Sequence, residues 1–237
     1  MKILAFDSTA KTASVSVSED DEILLSYNVD NGLTQSELLL PMAEAALKAL
    51  RLEFSDIDAY AVTAGPGSFT GVRIGAALVK GLAFGRNLPC VSVSTLEALS
   101  ENLRGLKGII VPCMDARRSQ VYGAIFKSDG KDITRITKDA ALPISELYEA
   151  LGNYGDTEIY LVGDGYDITY KTLSEMGLGN LQNTPTLLRS QNAASVARVA
   201  KRKIDKGEVT TDEALTPIYL RMPQAERERL EREKNEK

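Results

Sequence analysis

The sequence predicts an α/β protein in which a β-β-β-α-β-α-β unit occurs twice. Three observations carry this reading. Short apolar or alternating runs are interleaved with longer segments of helical period. Two of the apolar runs, residues 3–6 and 108–114, each end on an aspartate, Asp7 and Asp115. After each aspartate come a short polar turn and a second strand, so the two halves of the chain open in the same way.

In order, residues 3–6 form the first strand, and Asp7-Ser8-Thr9-Ala10-Lys11 a polar turn. Ala13, Val15 and Val17 alternate with Thr12, Ser14, Ser16 and Ser18, the period of a half-buried strand. Glu19-Asp20-Asp21 turns into a third strand over 23–29, so the chain begins as an antiparallel meander. Thr34-Gln35-Ser36-Glu37 has the pattern of a capping box. The helix it opens carries the stripe Leu38, Leu39, Met42, Ala45, Ala46 and Ala49, with Pro41 predicting a kink or a restart. A strand over 58–63, a helix over 71–84 and a strand over 89–93 complete the first unit.

The second unit repeats the order. A strand over 108–114 leads through Ala116-Arg117-Arg118-Ser119 to a strand over 120–126, and 133–136 is the expected third strand. Ser145 is placed to cap a helix through Leu151, residues 158–162 read as a strand, and Gly163-Asp164-Gly165 as a turn. A helix opened by Ser190 or Asn192 runs through Lys203. A β-β-β-α-β-α-β unit repeated twice is the pattern of the RNase H-like, actin-like ATPase fold. The expected division is 1–105, 106–220 and a charged tail over 221–237. In that tail Glu228 with Arg232 and Glu233 with Lys237 are spaced for i, i+4 pairs around a single leucine, Leu230. An exposed, fraying helix or a disordered segment is expected there.

Composition narrows the function classes. The chain has 237 residues, 43% hydrophobic and 26% charged, as in ordinary globular proteins. Its net charge of −5 argues against binding tRNA or another polyanion unaided. It contains no histidine, which excludes histidine-based acid–base catalysis, Ser-His-Asp and Cys-His nucleophiles, and histidine metal ligation. Cys90 and Cys113 stand in apolar surroundings and read as buried, reduced thiols, which suits the cytoplasm. Asp7 arrives too early for a signal peptide, and no run of about 18 apolar residues predicts a membrane span.

The stretch Thr63-Ala64-Gly65-Pro66-Gly67-Ser68-Phe69-Thr70-Gly71 joins a strand to a helix. Gly65 and Gly67 permit positive φ on either side of Pro66, and Ser68 or Thr70 is placed to cap the helix. Such a junction binds an anion at the helix N-terminus or is a tight turn that binds nothing. It matches neither G-x-G-x-x-G nor a P-loop. In the actin-like fold the acids after the first strand and its duplicate face each other and handle nucleotide phosphates through a metal ion. Asp7, Ser8, Thr9 and Asp115 fall at those places. The glycines that let backbone amides approach phosphates are missing beside both acids, so a vestigial site is expected, with at most weak ATP or ADP binding and no required cofactor or metal.

Four segments together resemble the TsaB (YeaZ) family. They are Thr34-Gln35-Ser36-Glu37 with Leu39-Leu40-Pro41, the run from Gly65 through Gly75, Met114-Asp115-Ala116-Arg117-Arg118 with Val121-Tyr122, and Thr216-Pro217-Ile218-Tyr219-Leu220-Arg221. The resemblance implies a non-catalytic subunit that works with TsaD and TsaE. Together they transfer threonylcarbamoyl to adenosine 37 of ANN-decoding tRNAs. TsaD carries His-x-x-x-His after the strand that follows the glycine-rich helix, and here Thr95 and Leu99 stand at those places. The resemblance further implies that two helices form the contact to TsaD, or to a second copy in a homodimer. The residues expected there are Leu39, Met42 and Ala46 with Gly75, Ala76, Val79 and Leu82. The same stripes also fit packing of the helices on their own sheet. An autonomous ATPase or kinase is the competing reading, and a peptidase the weaker one.

Overall fold

The computed structural model describes residues 1–117 and 119–221, so the charged tail expected over 221–237 lies outside the described residues from 222 onward. The first half contributes β1 (Lys2–Asp7), β2 (Ala13–Glu19), β3 (Glu22–Val29), α1 (Gln35–Leu50), β4 (Ala59–Gly65), α2 (Phe69–Ala83), β5 (Cys90–Ser94) and α3 (Thr95–Glu101). The second half contributes β6 (Lys107–Asp115), β7 (Gln120–Gly123), β8 (Phe126–Asp129), β9 (Ile133–Arg135), β10 (Ala140–Pro143) and α4 (Ile144–Leu151). It continues with β11 (Ile159–Val162), α5 (Tyr166–Glu175), β12 (Leu181–Gln182) and α6 (Ala193–Asp205).

The two sheets have the same path. The first runs β3-β2-β1-β4-β5 and the second β10-β7-β6-β11-β12. In each, three antiparallel strands lead into parallel pairings, β1 with β4 and β6 with β11. This is the duplicated actin-like architecture.

Period-two alternation sends neighbouring residues to opposite faces. Leu4 and Phe6 of β1 pack under α1 and α2. Ile3 and Ala5 pack under Val196, Val199 and Ala200 of α6. On the second sheet, Ile109 and Val111 face α4 and α5, whereas Ile110 and Met114 face Leu96 and Leu99 of α3. Each half therefore lends one helix to the other: α3 follows the first sheet in sequence and covers the second, and α6 follows the second and covers the first. Where α3 and α6 meet, the buried Glu101 accepts hydrogen bonds from Arg104 Nε at 2.8 Å and from Arg202 at 2.6 Å.

Several local expectations need correction. Residues 120–126 are not one strand: they break after Gly123, and β8 returns to pair with the beginning of β6. The third strand of the second meander is β10, because 133–135 pairs only with β8. Pro143, not Ser145, precedes α4, with no side-chain cap. α1 continues through Pro41, which sits on its exposed face, without restarting. α3 and α5 were not expected. α5 buries only Tyr166, Thr169 and Leu173 in an otherwise polar segment, too narrow a stripe to stand out. Among the described residues no helix is long and apolar enough to cross a membrane.

Candidate functional site

A cleft of about 690 Å³ lies between the ends of β1 and β6. Thr9 and Lys11 line it from the turn after β1, Gly67 and Ser68 from the start of α2, and Asp115 and Asp164 from the second half.

Asp7 ends β1 and is fully buried. Its Oδ1 accepts from the Thr9 amide at 2.9 Å and the Thr9 hydroxyl at 2.6 Å. Neither its Oδ2 nor the hydroxyl of neighbouring Thr63 has a partner of good hydrogen-bond geometry, although Thr63 is near enough to favour the charged carboxyl. Burial dominates and pushes the Asp7 carboxyl up to about 6, against the pull of Thr9 and, more weakly, of Thr63. The charge of Asp164 across the cleft adds a smaller upward push. Asp164 is itself raised, chiefly by burial, which outweighs a hydrogen bond from the Asp115 backbone, with the Asp115 charge adding to the rise. Asp115 is exposed and accepts from the Arg117 amide at 2.7 Å. Asp164 belongs beside the two expected acids, and its place between two glycines was the available signal.

Ser8 and Thr9 do not present free hydroxyls for phosphate or metal. Ser8 Oγ donates to Gly71 O at 2.8 Å, and Thr9 is bound to Asp7. The Ser68 amide at the start of α2, where an anion would sit, donates instead to Thr9 O at 2.7 Å. Ser68 Oγ caps α2 by accepting from Gly71 N. The glycine-rich stretch is thus a seat for the turn after β1. A Cβ on Gly67 would lie 2.5 Å from Thr9 O, and one on Gly75 would lie 3.0 Å from Val62 Cγ2. The second half repeats this device. Gly165 N donates to Cys113 O at 3.1 Å, and a Cβ at Gly165 would meet the backbone of residues 113–115 at about 3 Å. Close backbone approach therefore accounts for the glycines of both turns. Among the described residues, no group of three His, Cys, Asp or Glu side chains is arranged to hold a metal ion. Burial pushes the Cys113 thiol up to about 12 and Cys90 up to about 11, and both are free.

The state of Asp7 gives a pH prediction. Its folded pKa lies above the unfolded value of 3.8, so its contribution is most favourable at low pH and is lost as pH rises toward about 6. Asp7→Asn keeps an acceptor for Thr9 and removes the buried charge. It is expected to stabilise the protein at pH 7.5 by about 1–3 kcal/mol. That gain should vanish near pH 4 in denaturant titrations of both proteins. An equal stability difference at both pH values would show that Asp7 is not the cause.

The residues expected at a partner contact sit elsewhere than expected. Leu39, Met42, Ala46, Ala76 and Val79 are buried in the core between α1, α2 and the first sheet. Gly75 lies against Ser8 and Val62, and Leu82 is half-buried against the same core. The apolar stripe of a helix lying on a sheet is its inward face. Outward, the paired helices present Leu40, Ala45, Ala77 and Gly81, with Phe84 80% exposed just beyond α2. Thr95 and Leu99 are both buried in α3.

Comparison with known proteins agrees with this architecture. The family model described as "TsaD: tRNA N6-adenosine threonylcarbamoyltransferase" matches residues 34–229. The chain is 29% identical to the tRNA threonylcarbamoyladenosine biosynthesis protein TsaB of Bacillus subtilis, over 99% of this chain and 100% of the relative. It is 30% identical to the Escherichia coli protein of the same name, over 93% of this chain and 95% of the relative. The solved structure of YeaZ from Pseudomonas aeruginosa superposes with a TM-score of 0.76 at 25% identity, covering 92% of this chain and 99% of that one. The chain belongs to the family that the matching model describes and, within it, to TsaB, also called YeaZ.

Proposed function

We propose that the chain is a non-catalytic cytoplasmic subunit that supports its catalytic relative TsaD, together with TsaE, in threonylcarbamoyl transfer to adenosine 37 of ANN-decoding tRNAs. The observation that carries this reading is the fate of the two positions where TsaD has its histidines. Thr95 and Leu99 stand there, and both are packed inside the protein. Neither is a replacement for imidazole, and the chain has no histidine elsewhere. The committed hydroxyls of Ser8 and Thr9 argue against an autonomous ATPase or kinase and favour weak nucleotide binding at most.

The contact to TsaD, or to a second copy, is assigned here to the outward face of α1 and α2. It carries Leu40, Ala45, Ala77 and Gly81, with Phe84 just beyond, and its exposed charges include Glu44, Lys48 and Arg73. A charge introduced at the centre of such a contact is expected to weaken binding at least about a hundredfold. Leu40→Arg and Ala77→Arg, both on the exposed face, should fold normally, fail to bind TsaD and lower tRNA modification by the reconstituted set in parallel. Met42→Arg and Val79→Arg should unfold instead, since both side chains are in the core. Full modification by folded Leu40→Arg and Ala77→Arg would remove this surface from the reading. Full modification when the chain is omitted would remove the subunit role itself.

A further inference from the structure

The segment after α6 crosses from one half of the molecule to the other along the cleft. Thr210 first joins the edge of the first sheet, exchanging hydrogen bonds with Cys90 at 2.8 and 2.9 Å, and Leu215 is buried in the core that α1 and α2 share with the first sheet. The chain then runs over the glycine-rich turn. Ile218 N donates to Ala64 O at 2.7 Å, and the Ile218 carbonyl fills the space that a side chain at Gly65 would need. The Tyr219 ring rests on Phe69 with centroids 4.8 Å apart. Two residues after Tyr219 the segment is attached to the second half. Arg221 Nη1 donates to Ala116 O at 2.9 Å, its other terminal nitrogen donates to Gln120 Oε1, and the guanidinium lies 5.6 Å from the Tyr122 ring centroid. Residues 218–221 thereby form part of the cleft wall.

Among the contacts that join the halves, which also include Ser94 with Asp139 and Asn102 with the carbonyls of Leu188 and Ser190, the α3–α6 link and the strap differ in kind. At α3–α6 a buried carboxylate is held by two arginines. Along the cleft, the described contacts of Arg221 are to neutral acceptors and an aromatic face, and its side chain is only half-buried. A charge-assisted bond to a neutral acceptor exchanges readily for water, so this link is the weaker one. We propose that residues 218–221 are a clasp that holds the cleft closed, anchored on the first half at Ala64 and Phe69 and latched onto the second half by Arg221. Release of the latch lets the halves separate while the strap stays on the first sheet. Access to the cleft is then set by the strap, independently of the partner surface on α1 and α2.

The test uses the full chain with spin labels on Glu22→Cys in β3 and Lys171→Cys in α5, both exposed, while the buried native thiols stay unlabelled. The distance distribution between labels should be narrow in the parent. Arg221→Ala and, separately, Gln120→Ala should each add a longer-distance population, shifting the open-to-closed ratio about tenfold or more. The double variant should shift it no further than Arg221→Ala, since both belong to one latch. Hydrogen exchange of the Ile218 amide should stay slow in all of them, because its bond to Ala64 lies within the first half. Unchanged distributions in both single variants overturn the proposal, even if the melting temperature falls. Rapid exchange at Ile218 in Arg221→Ala overturns the assigned anchor.

Discussion

Gly71→Ala is expected to destabilise the protein by about 3 kcal/mol or more, a fall in melting temperature of roughly 6–12 °C for a chain of this size. Gly71 lies in the first turn of α2, and its backbone is not in the left-handed region. Helix propensity alone therefore favours alanine, by about 1 kcal/mol. Packing has the opposite sign. The added Cβ would overlap the carbonyl oxygen of Ser8 and lie 3.3 Å from Ser68 Cβ. The first obstacle is backbone, held by the turn after β1, so no side-chain rotation relieves it. Moving that turn costs the bond from Ser8 Oγ to Gly71 O and the bond from Ser68 N to Thr9 O, and it disturbs the seat of Asp7. Gly81 supplies the control within the same helix. A Cβ there meets nothing within 4 Å, so Gly81→Ala is expected to raise stability by about 0.5–1 kcal/mol. Thermal unfolding of the two variants should move in opposite directions. A Gly71→Ala protein that melts within a degree or two of the parent would show that the turn yields easily.

The link between α3 and α6 carries the second large effect, and it lies in the arginines more than in the glutamate. Glu101 has a side chain 1% exposed, whereas Arg104 and Arg202 are 32% and 40% exposed. Deleting Glu101 leaves two arginines that water can reach. Deleting both arginines leaves a carboxylate buried and unpaired, which costs about 3–5 kcal/mol at neutral pH. Arg104→Ala with Arg202→Ala is therefore expected to be more destabilising than Glu101→Leu. The pH dependence should also invert. In the parent, burial pushes Glu101 up, but the hydrogen bonds and charges of the two arginines together hold it below its ordinary value of 4.5. Its stabilising contribution is thus present above that value and is lost as pH falls below it. Without the arginines, burial alone remains and the folded pKa rises above the unfolded one. The variant should then gain stability relative to the parent as pH falls through the carboxylate range. Denaturant titrations at pH 4.5 and pH 7.5 measure both effects. Parallel pH profiles would show that Glu101 is solvated once its partners are gone.

Much of this protein was written locally and could be read without coordinates. The two aspartates closing β1 and β6, and the alternation in β2, depend on a few adjacent residues. Hence the duplicated fold class and the order of the first unit were legible, whereas the third strand and second helix of the second unit were not, and the sequence left the cap of α2 open between Ser68 and Thr70. The absence of histidine, a property of the chain alone, excluded whole reaction classes. Three matters were decided only in three dimensions, because each depends on which surface lies opposite. Leu39, Met42, Ala46 and Val79 form an apolar stripe in either case, and only the position of the sheet shows that it faces inward. The glycines of 65–75 fit an anion site or a tight turn equally well in sequence. The carbonyls of Ser8 and Thr9, more than fifty residues earlier, decide for the turn. The exchange of α3 and α6 between halves, and the strap over the cleft, join residues about a hundred positions apart. A periodic pattern encodes that a helix has a face to bury, and the partner that buries it is fixed only when the chain closes on itself.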